Sequence, residues 1–236
     1  MKTITAQDLY NFTKCHHRVY LDANGNLEER VEVGSFVKLL WELGLQTERE
    51  YIASIGDVLV EDLEPLSFET AYHETLRLME EGASLIYQGC LMDEVYVGRP
   101  DLLVRREGGE SRWGSYLYEA IDIKAGRGWE GGESRKPKFK EHYAFQILFY
   151  RMLLQRIQGA VVSLGRIINI DKEVEEFDPM SFELPFQRAL EEVTYLVQGD
   201  QTSEPVLGSH CLLCEWFRRC HKWVQAHDDP TGLFFV

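Results

Sequence analysis

Two carboxylates and one ammonium stand where they could hold and use a divalent cation: Asp101, closing the run Gly98-Arg-Pro-Asp101, and the pair in Asp122-Ile-Lys124. Residues two apart in a strand share a face and lie roughly 6.5 to 7 Å apart, so Asp122 and Lys124 point the same way. Glu119 falls on the opposite face with Ile121 and Ile123 and is left out of the set. If the intervening hairpin is symmetric about Ser111 and Arg112, Asp101 lies opposite Asp122, within the about 4.5 to 5.5 Å of antiparallel partners. A one-residue bulge would destroy that register. Pro100 cannot donate to a ladder and suits a strand end where a ligand enters. Oxygen ligands favour Mg2+ or Mn2+, and such an ion lowers the pKa of bound water and neutralises charge on a scissile phosphate. Lys124 would then orient water or stabilise developing charge, and a lowered pKa would let it assist proton transfer.

A second set consists of Cys15 and the cluster Cys211-x2-Cys214-x5-Cys220, with Cys90 as a spare expected in a buried strand. Five cysteines in a reducing compartment point to metal binding rather than disulfides. Zinc and an iron-sulfur cluster both suit such thiolates. A lone distant Cys15 joining three late cysteines departs from the two close pairs of a zinc ribbon and favours a cubane. His210, His221 and His16 flank these cysteines and are read as exposed histidines.

The elements that must position these groups follow from capping and periodicity. Thr5 caps a first helix, with Asp8 in its opening turn and Leu9, Phe12 and Cys15 along one side, so this helix is expected to deliver Cys15. A second helix runs from about Gly34 to Gly44 and continues through Glu48. Ser67 caps a third that ends near Gly82. Strands over 85–88, 95–97, 102–105 and 116–123 form the central sheet, and Gly108-Gly109 to Gly114 supplies the hairpin turn. Residues 126–137 form a loop rich in glycine and charge. Pro137 opens a long amphipathic helix reaching about Ile157, in which Gln146 and Tyr150, four apart, share a face. They could meet a DNA backbone, brace the metal site or simply pack in the core. A strand over about 161–170, a charged bend, a helix over about 181–198, a polar linker and a last helix over about 216–224 complete the chain. Trp216 and Trp223 are read as core, with Arg218, Arg219 and Lys222 available to give this end a DNA-facing edge.

Composition bounds the function. With 236 residues, 44% hydrophobic and 27% charged, the chain is expected to fold by itself as one domain carrying a small metal-bound cap. No apolar run approaches the roughly 18 residues of a membrane span, and the start carries no apolar export segment, so the cytoplasm is the expected location. A net charge of −14 excludes a passive nucleic-acid coat but not an enzyme with a basic groove. Such a groove is suggested by Lys124, Arg127, Arg135, Lys136, Lys138 and Lys140, set against only Glu130 and Glu133.

Gly98-Arg-Pro-Asp101, Asp122-Ile-Lys124 and Gln146-x3-Tyr150 together resemble, in order and spacing, the PD-(D/E)XK motifs of the RecB-like nucleases. Asp122 stands where glutamate is commoner in that family. Gly44-Leu-Gln-Thr-Glu48 resembles the family's early-helix ligand pattern, which makes Glu48 a metal ligand ahead of His73; the main-chain carbonyl of Ile123 is a further ligand by the same likeness. Cys15 with Cys211, Cys214 and Cys220 looks like the iron staple of the AddB helicase-nuclease subunit and of the CRISPR-associated RecB-like exonucleases, which implies a 4Fe-4S cluster tying residues 1–20 to 205–225. The resemblance implies an α/β restriction-endonuclease-like core over about 34–198, a mixed sheet flanked by helices under a helical iron-sulfur cap. It implies a Mg2+- or Mn2+-dependent deoxyribonuclease, an exonuclease on single-stranded DNA ends working in CRISPR adaptation or DNA repair and recombination with partner proteins of those complexes. Asp101, Asp122, Lys124, Gln146 and Tyr150 would be its catalytic set. The alternative is a catalytically idle DNA-binding or assembly subunit of such a complex.

Overall fold

The computed structural model describes residues 1–56, 60–131 and 136–235, and shows a mixed α/β chain in which helices flank a six-stranded mixed sheet. Strand β1 (Ile4–Thr5) leads into helix α1 (Ala6–Phe12) through a reciprocal cap: the Asp8 N–H donates to Thr5 Oγ1 at 3.3 Å and the Thr5 N–H to Asp8 Oδ2 at 2.8 Å. The helix stops at Phe12 and does not carry Cys15, contrary to expectation. Lys14 and Cys15 both donate their N–H groups to the Asn11 carbonyl, which tightens the turn, and Cys15 becomes the N-cap of a separate helix, α2 (His16–Asn24).

Helix α3 (Ser35–Ser54) is longer than expected and has two halves. Its first half stands clear of the body, with Phe36, Leu39 and Trp41 all more than half exposed at 58%, 58% and 54%. Its second half lays Tyr51 and Ile52 on the sheet. After β2 (Glu61–Asp62) comes α4 (Phe68–Glu81), capped by Ser67 and ended by Gly82 as expected. Then follow β3 (Leu85–Tyr87), β4 (Leu91–Asp93), β5 (Tyr96–Gly98), β6 (Leu102–Ser111) and β7 (Gly114–Ile123). A two-stranded ribbon, β8 (Trp129–Glu130) with β9 (Lys138–Phe139), precedes α5 (Glu141–Gln158), which therefore starts after Lys140 rather than at Pro137. Strands β10 (Gly165–Ile168) and β11 (Val174–Phe177), helix α6 (Glu183–Gln198) and helix α7 (Phe217–Ala226) finish the chain. The charged bend of the sequence analysis is therefore the edge strand β11.

The large sheet has the order β11-β10-β7-β6-β3-β2, with β10 parallel to β7 and β2 parallel to β3, and the other pairs antiparallel. A second sheet of order β1-β5-β4 packs beside it. Strand alternation divides the core. Leu103, Tyr118 and Ala120 join Phe145, Leu148 and Phe149 of α5 on one face, while Leu102, Ile121 and Ile123 meet Tyr51 and Ile52 on the other. At the far end of α5, Gln158 is wholly buried and clamps the helix to β7: the Tyr118 N–H donates to Gln158 Oε1, and Gln158 Nε2 donates to the Tyr118 carbonyl, each at 2.8 Å.

The β6–β7 hairpin decides where the acids fall. Its turn is Arg112-Trp113, one residue beyond the symmetric point expected, since Ser111 pairs with Gly114. Two extra residues on the β6 side compensate between Glu107 and Ser111, so that Glu107 pairs with Tyr116 and Leu102 with Ile121. The irregularity demands glycine: Gly108 has φ +83°, and a Cβ on Gly109 would stand 2.1 Å from Leu117 Cδ2. The register therefore reaches the far end as expected, and Asp101 lies one residue beyond the last pair, facing Asp122.

Candidate functional site

At that sheet end, several segments converge. Asp101 has left the ladder, and its main chain and side chain both turn back: the Asp101 N–H donates to Asp122 Oδ1 at 3.4 Å, and the Ile123 N–H donates to Asp101 Oδ2 at 2.7 Å. Asp122, 2% exposed, faces α5 because it follows Tyr118 and Ala120 in the alternation. Lys124 Nζ donates to Asp122 Oδ2 at 2.7 Å and to Gln146 Oε1 of α5 at 3.0 Å. Its main-chain N–H donates to the Ile168 carbonyl, which ties the lysine to β10. From the opposite side of the sheet, α3 brings Glu48, whose Oε1 accepts from Gln88 Nε2 at 2.5 Å. The same Gln88 nitrogen donates to Asp101 Oδ1 at 3.0 Å.

Tyr150, 5% exposed, forms the floor of this region. A Cβ on Gly98 would stand 2.8 Å from its Cδ1, so the glycine that opens the Gly98–Asp101 run lets α5 approach. The structure thus brings together Glu48, Asp101, Asp122, Ile123, Lys124, Gln146 and Tyr150. His73 stays on the exposed side of α4 beside Tyr72. Glu119 lies away from the set, bridged by Arg106 and Arg166 at 2.7 Å each.

Electrostatics mark the place as one where carboxylates are crowded. Burial, and then the neighbouring Asp122, hold the Asp101 carboxyl well above the usual carboxylate range, with Glu48 adding to the effect against the opposing pull of Lys124. Burial alone would lower Lys124, but Asp122 and Asp101 outweigh it and leave the ammonium raised. The expectation of a lowered lysine pKa is therefore corrected: among these carboxylates Lys124 is held charged. Burial, then Asp122 and Asp101, push the Tyr150 phenol well above its ordinary value.

Three contributors went unread in the sequence. Gln88 bridges Glu48 and Asp101 from a left-handed backbone, φ +55°, which a glutamine adopts only when its surroundings fix it. Tyr87 has its hydroxyl raised by burial and then by its hydrogen bond to Glu48. Lys14, from the α1–α2 turn, meets His142 Nδ1 at 3.1 Å. Burial, then Lys14, Lys140 and Lys124, push that imidazole down to about 3, so a basic cluster does flank the acids. Of the basic run, Lys136 and Lys138 are exposed and Arg127 pairs with Asp171. Arg135 and Glu133 lie outside the described residues.

The cysteines also assemble. Cys15, Cys211, Cys214 and Cys220 line one narrow apolar cavity with His17 and Trp216. All four thiols are raised, first by burial and further by other cysteines of the set, with Cys220 pushed up to about 12. Four thiols from opposite ends of the chain line this one space, a soft donor set by its chemistry, and the Gly208 N–H, which donates to Cys211 Sγ at 3.4 Å, is a hydrogen bond suited to a thiolate. Trp216 is fully buried and donates from Nε1 to Asp22 at 2.7 Å. His16 pairs with Glu192 at 3.0 Å, while Cys90 is buried but sits between β3 and β4 rather than in a strand. Among the described residues, no three His, Cys, Asp or Glu side chains are disposed to hold an ion as they stand.

The chain matches no protein-family model, and no curated protein matches it in sequence. Among the described residues, no helix is long and apolar enough to cross a membrane.

Proposed function

We propose that the chain is a metal-dependent deoxyribonuclease with a restriction-endonuclease-like core, hydrolysing phosphodiesters of single-stranded DNA ends, with a 4Fe-4S cluster held by its four clustered cysteines. The observation that carries this reading is the convergence of Glu48, Asp101, Asp122, Lys124 and Gln146 from separate elements on one sheet end. Carboxylates forced together until Asp101 resists ionising form a site that a cation would relieve. Glu48, Asp101, Asp122 and the Ile123 carbonyl are the groups that would hold Mg2+ or Mn2+, which supplies an activated water and neutralises phosphate charge when bound.

The remaining work falls to this chain's own side chains. Lys124 is fixed by Gln146, so its ammonium meets negative charge developing on the phosphate. Tyr150 keeps bulk water from the floor, and Lys14 and Lys140 draw the DNA backbone toward the acids. The cysteine set ties the α1–α2 turn to α7 and has a structural part. Cleavage of end-labelled single-stranded DNA in Mn2+ tests the reading, with Lys124→Ala compared against wild type for cleavage and for DNA binding. Cleavage that disappears while binding persists supports it. Binding without cleavage by the wild type would replace it with the idle-subunit reading.

A further inference from the structure

The cavity lined by the cysteines also holds a buried histidine that those thiols do not explain. His17 is 5% exposed, and its Nδ1 lies 2.9 Å from Ser203 Oγ, in the segment between α6 and the cysteine cluster. The opposite ring nitrogen, Nε2, is buried with no hydrogen-bond partner among the described residues. A buried imidazole nitrogen left unpaired is destabilising unless something in the same space answers it. The space it shares is the one lined by Cys15, Cys211, Cys214 and Cys220. His17 follows Cys15 by two residues in the first turn of α2, while Ser203 fixes the ring from the other side. The imidazole is therefore oriented from both its ends, as a side chain with a positional task would be.

We propose that His17 is a positioning residue for the cofactor, its Nε2–H donating a hydrogen bond to a sulfur of the cluster while Ser203 Oγ–H donates to Nδ1 and sets the tautomer. This rests on the iron-sulfur reading of the four cysteines. With four thiolates completing the ligand set, the histidine acts on the sulfur and not on the iron. A hydrogen bond to sulfur stabilises the more negative, reduced cluster, so His17 raises the reduction potential.

The experiment is an anaerobic redox titration of the full-length protein, followed by visible absorption and electron paramagnetic resonance, on wild type, His17→Leu, His17→Gln and Ser203→Ala. Iron content is measured in parallel. Leucine removes the donor and is expected to shift the potential negative at unchanged iron content. Glutamine keeps an N–H donor and is expected to return most of the shift, and Ser203→Ala is expected to give a smaller shift of the same sign. An iron-loaded His17→Leu protein with the wild-type potential overturns the proposal alone. Loss of iron in both His17 variants also overturns it, by making His17 a ligand. A colourless wild type containing zinc overturns the iron-sulfur reading and the proposal with it.

Discussion

Lys124→Met keeps the length of the side chain and removes its charge. In the wild type, Lys124 Nζ lies 2.7 Å from Asp122 Oδ2, and the two side chains are 15% and 3% exposed. Without the ammonium, Asp122 retains one long hydrogen bond, from the Asp101 N–H at 3.4 Å, and stands beside a second buried carboxyl. Removing one partner of a buried ion pair costs about 3–5 kcal/mol because the other charge is stranded. In a chain of this size that is a fall of roughly 6–20 °C in thermal midpoint. The stranded pair can be relieved by a proton, so the loss should shrink between pH 7.5 and pH 5, and Lys124→Met/Asp122→Asn should recover at least half of it. Urea unfolding followed by tryptophan fluorescence, in EDTA at both pH values, measures this. A loss below about 1 kcal/mol that is equal at both pH values would refute the reasoning, because it would mean that water solvates Asp122.

Four further outcomes are expected. Mn2+ should stabilise the wild type by about 2.7 kcal/mol at a hundredfold excess over its dissociation constant, seen as a higher thermal midpoint, and leave Asp101→Asn unmoved. In EDTA at pH 8 that variant should melt no lower than wild type, because a carboxyl whose folded pKa is raised loses stability as pH rises through it; a lower midpoint contradicts this. Gly98→Ala, whose new Cβ would stand 2.8 Å from Tyr150 Cδ1 and 3.0 Å from Leu153 Cδ1, should cost about 1–3 kcal/mol in urea unfolding, and a neutral result would mean α5 can shift freely. His142, held down to about 3 in the fold against about 6.5 unfolded, lets the unfolded chain bind a proton first. Its contribution is complete above pH 6.5 and is lost as pH falls toward 3, so His142→Gln should flatten the stability slope below pH 6. An unchanged slope would remove His142 from the account.

What could be read in advance was what local chemistry decides. Thr5 with Asp8, and Ser67 with Gly82, state helix ends within a few residues, and both ends stand where expected. The hairpin register was legible for a subtler reason. The turn moved, but the two residues inserted at Gly108-Gly109 compensated for it, because burial of Leu102, Ile121 and Ile123 penalises any slip. What stayed hidden depends on distant partners. Val174–Phe177 is a strand only because β10 lies beside it, and its charged sequence reads as a bend. Cys15 looked helical by spacing, but the preference of Lys14 and Cys15 for the Asn11 carbonyl is a matter of tertiary placement. Gln88 carries no motif, and its role appears only when Glu48 and Asp101 stand on either side of it.

Whether these carboxylates are assembled to cut phosphodiesters with a bound cation is decided by single-turnover hydrolysis of end-labelled single-stranded DNA, with Mn2+ or EDTA, by wild type and Asp101→Asn side by side. Cleavage by the wild type in Mn2+ alone, with Asp101→Asn inactive yet folded, is the predicted result. Cleavage that survives Asp101→Asn, or a folded wild type that binds Mn2+ and leaves the DNA intact, would contradict it.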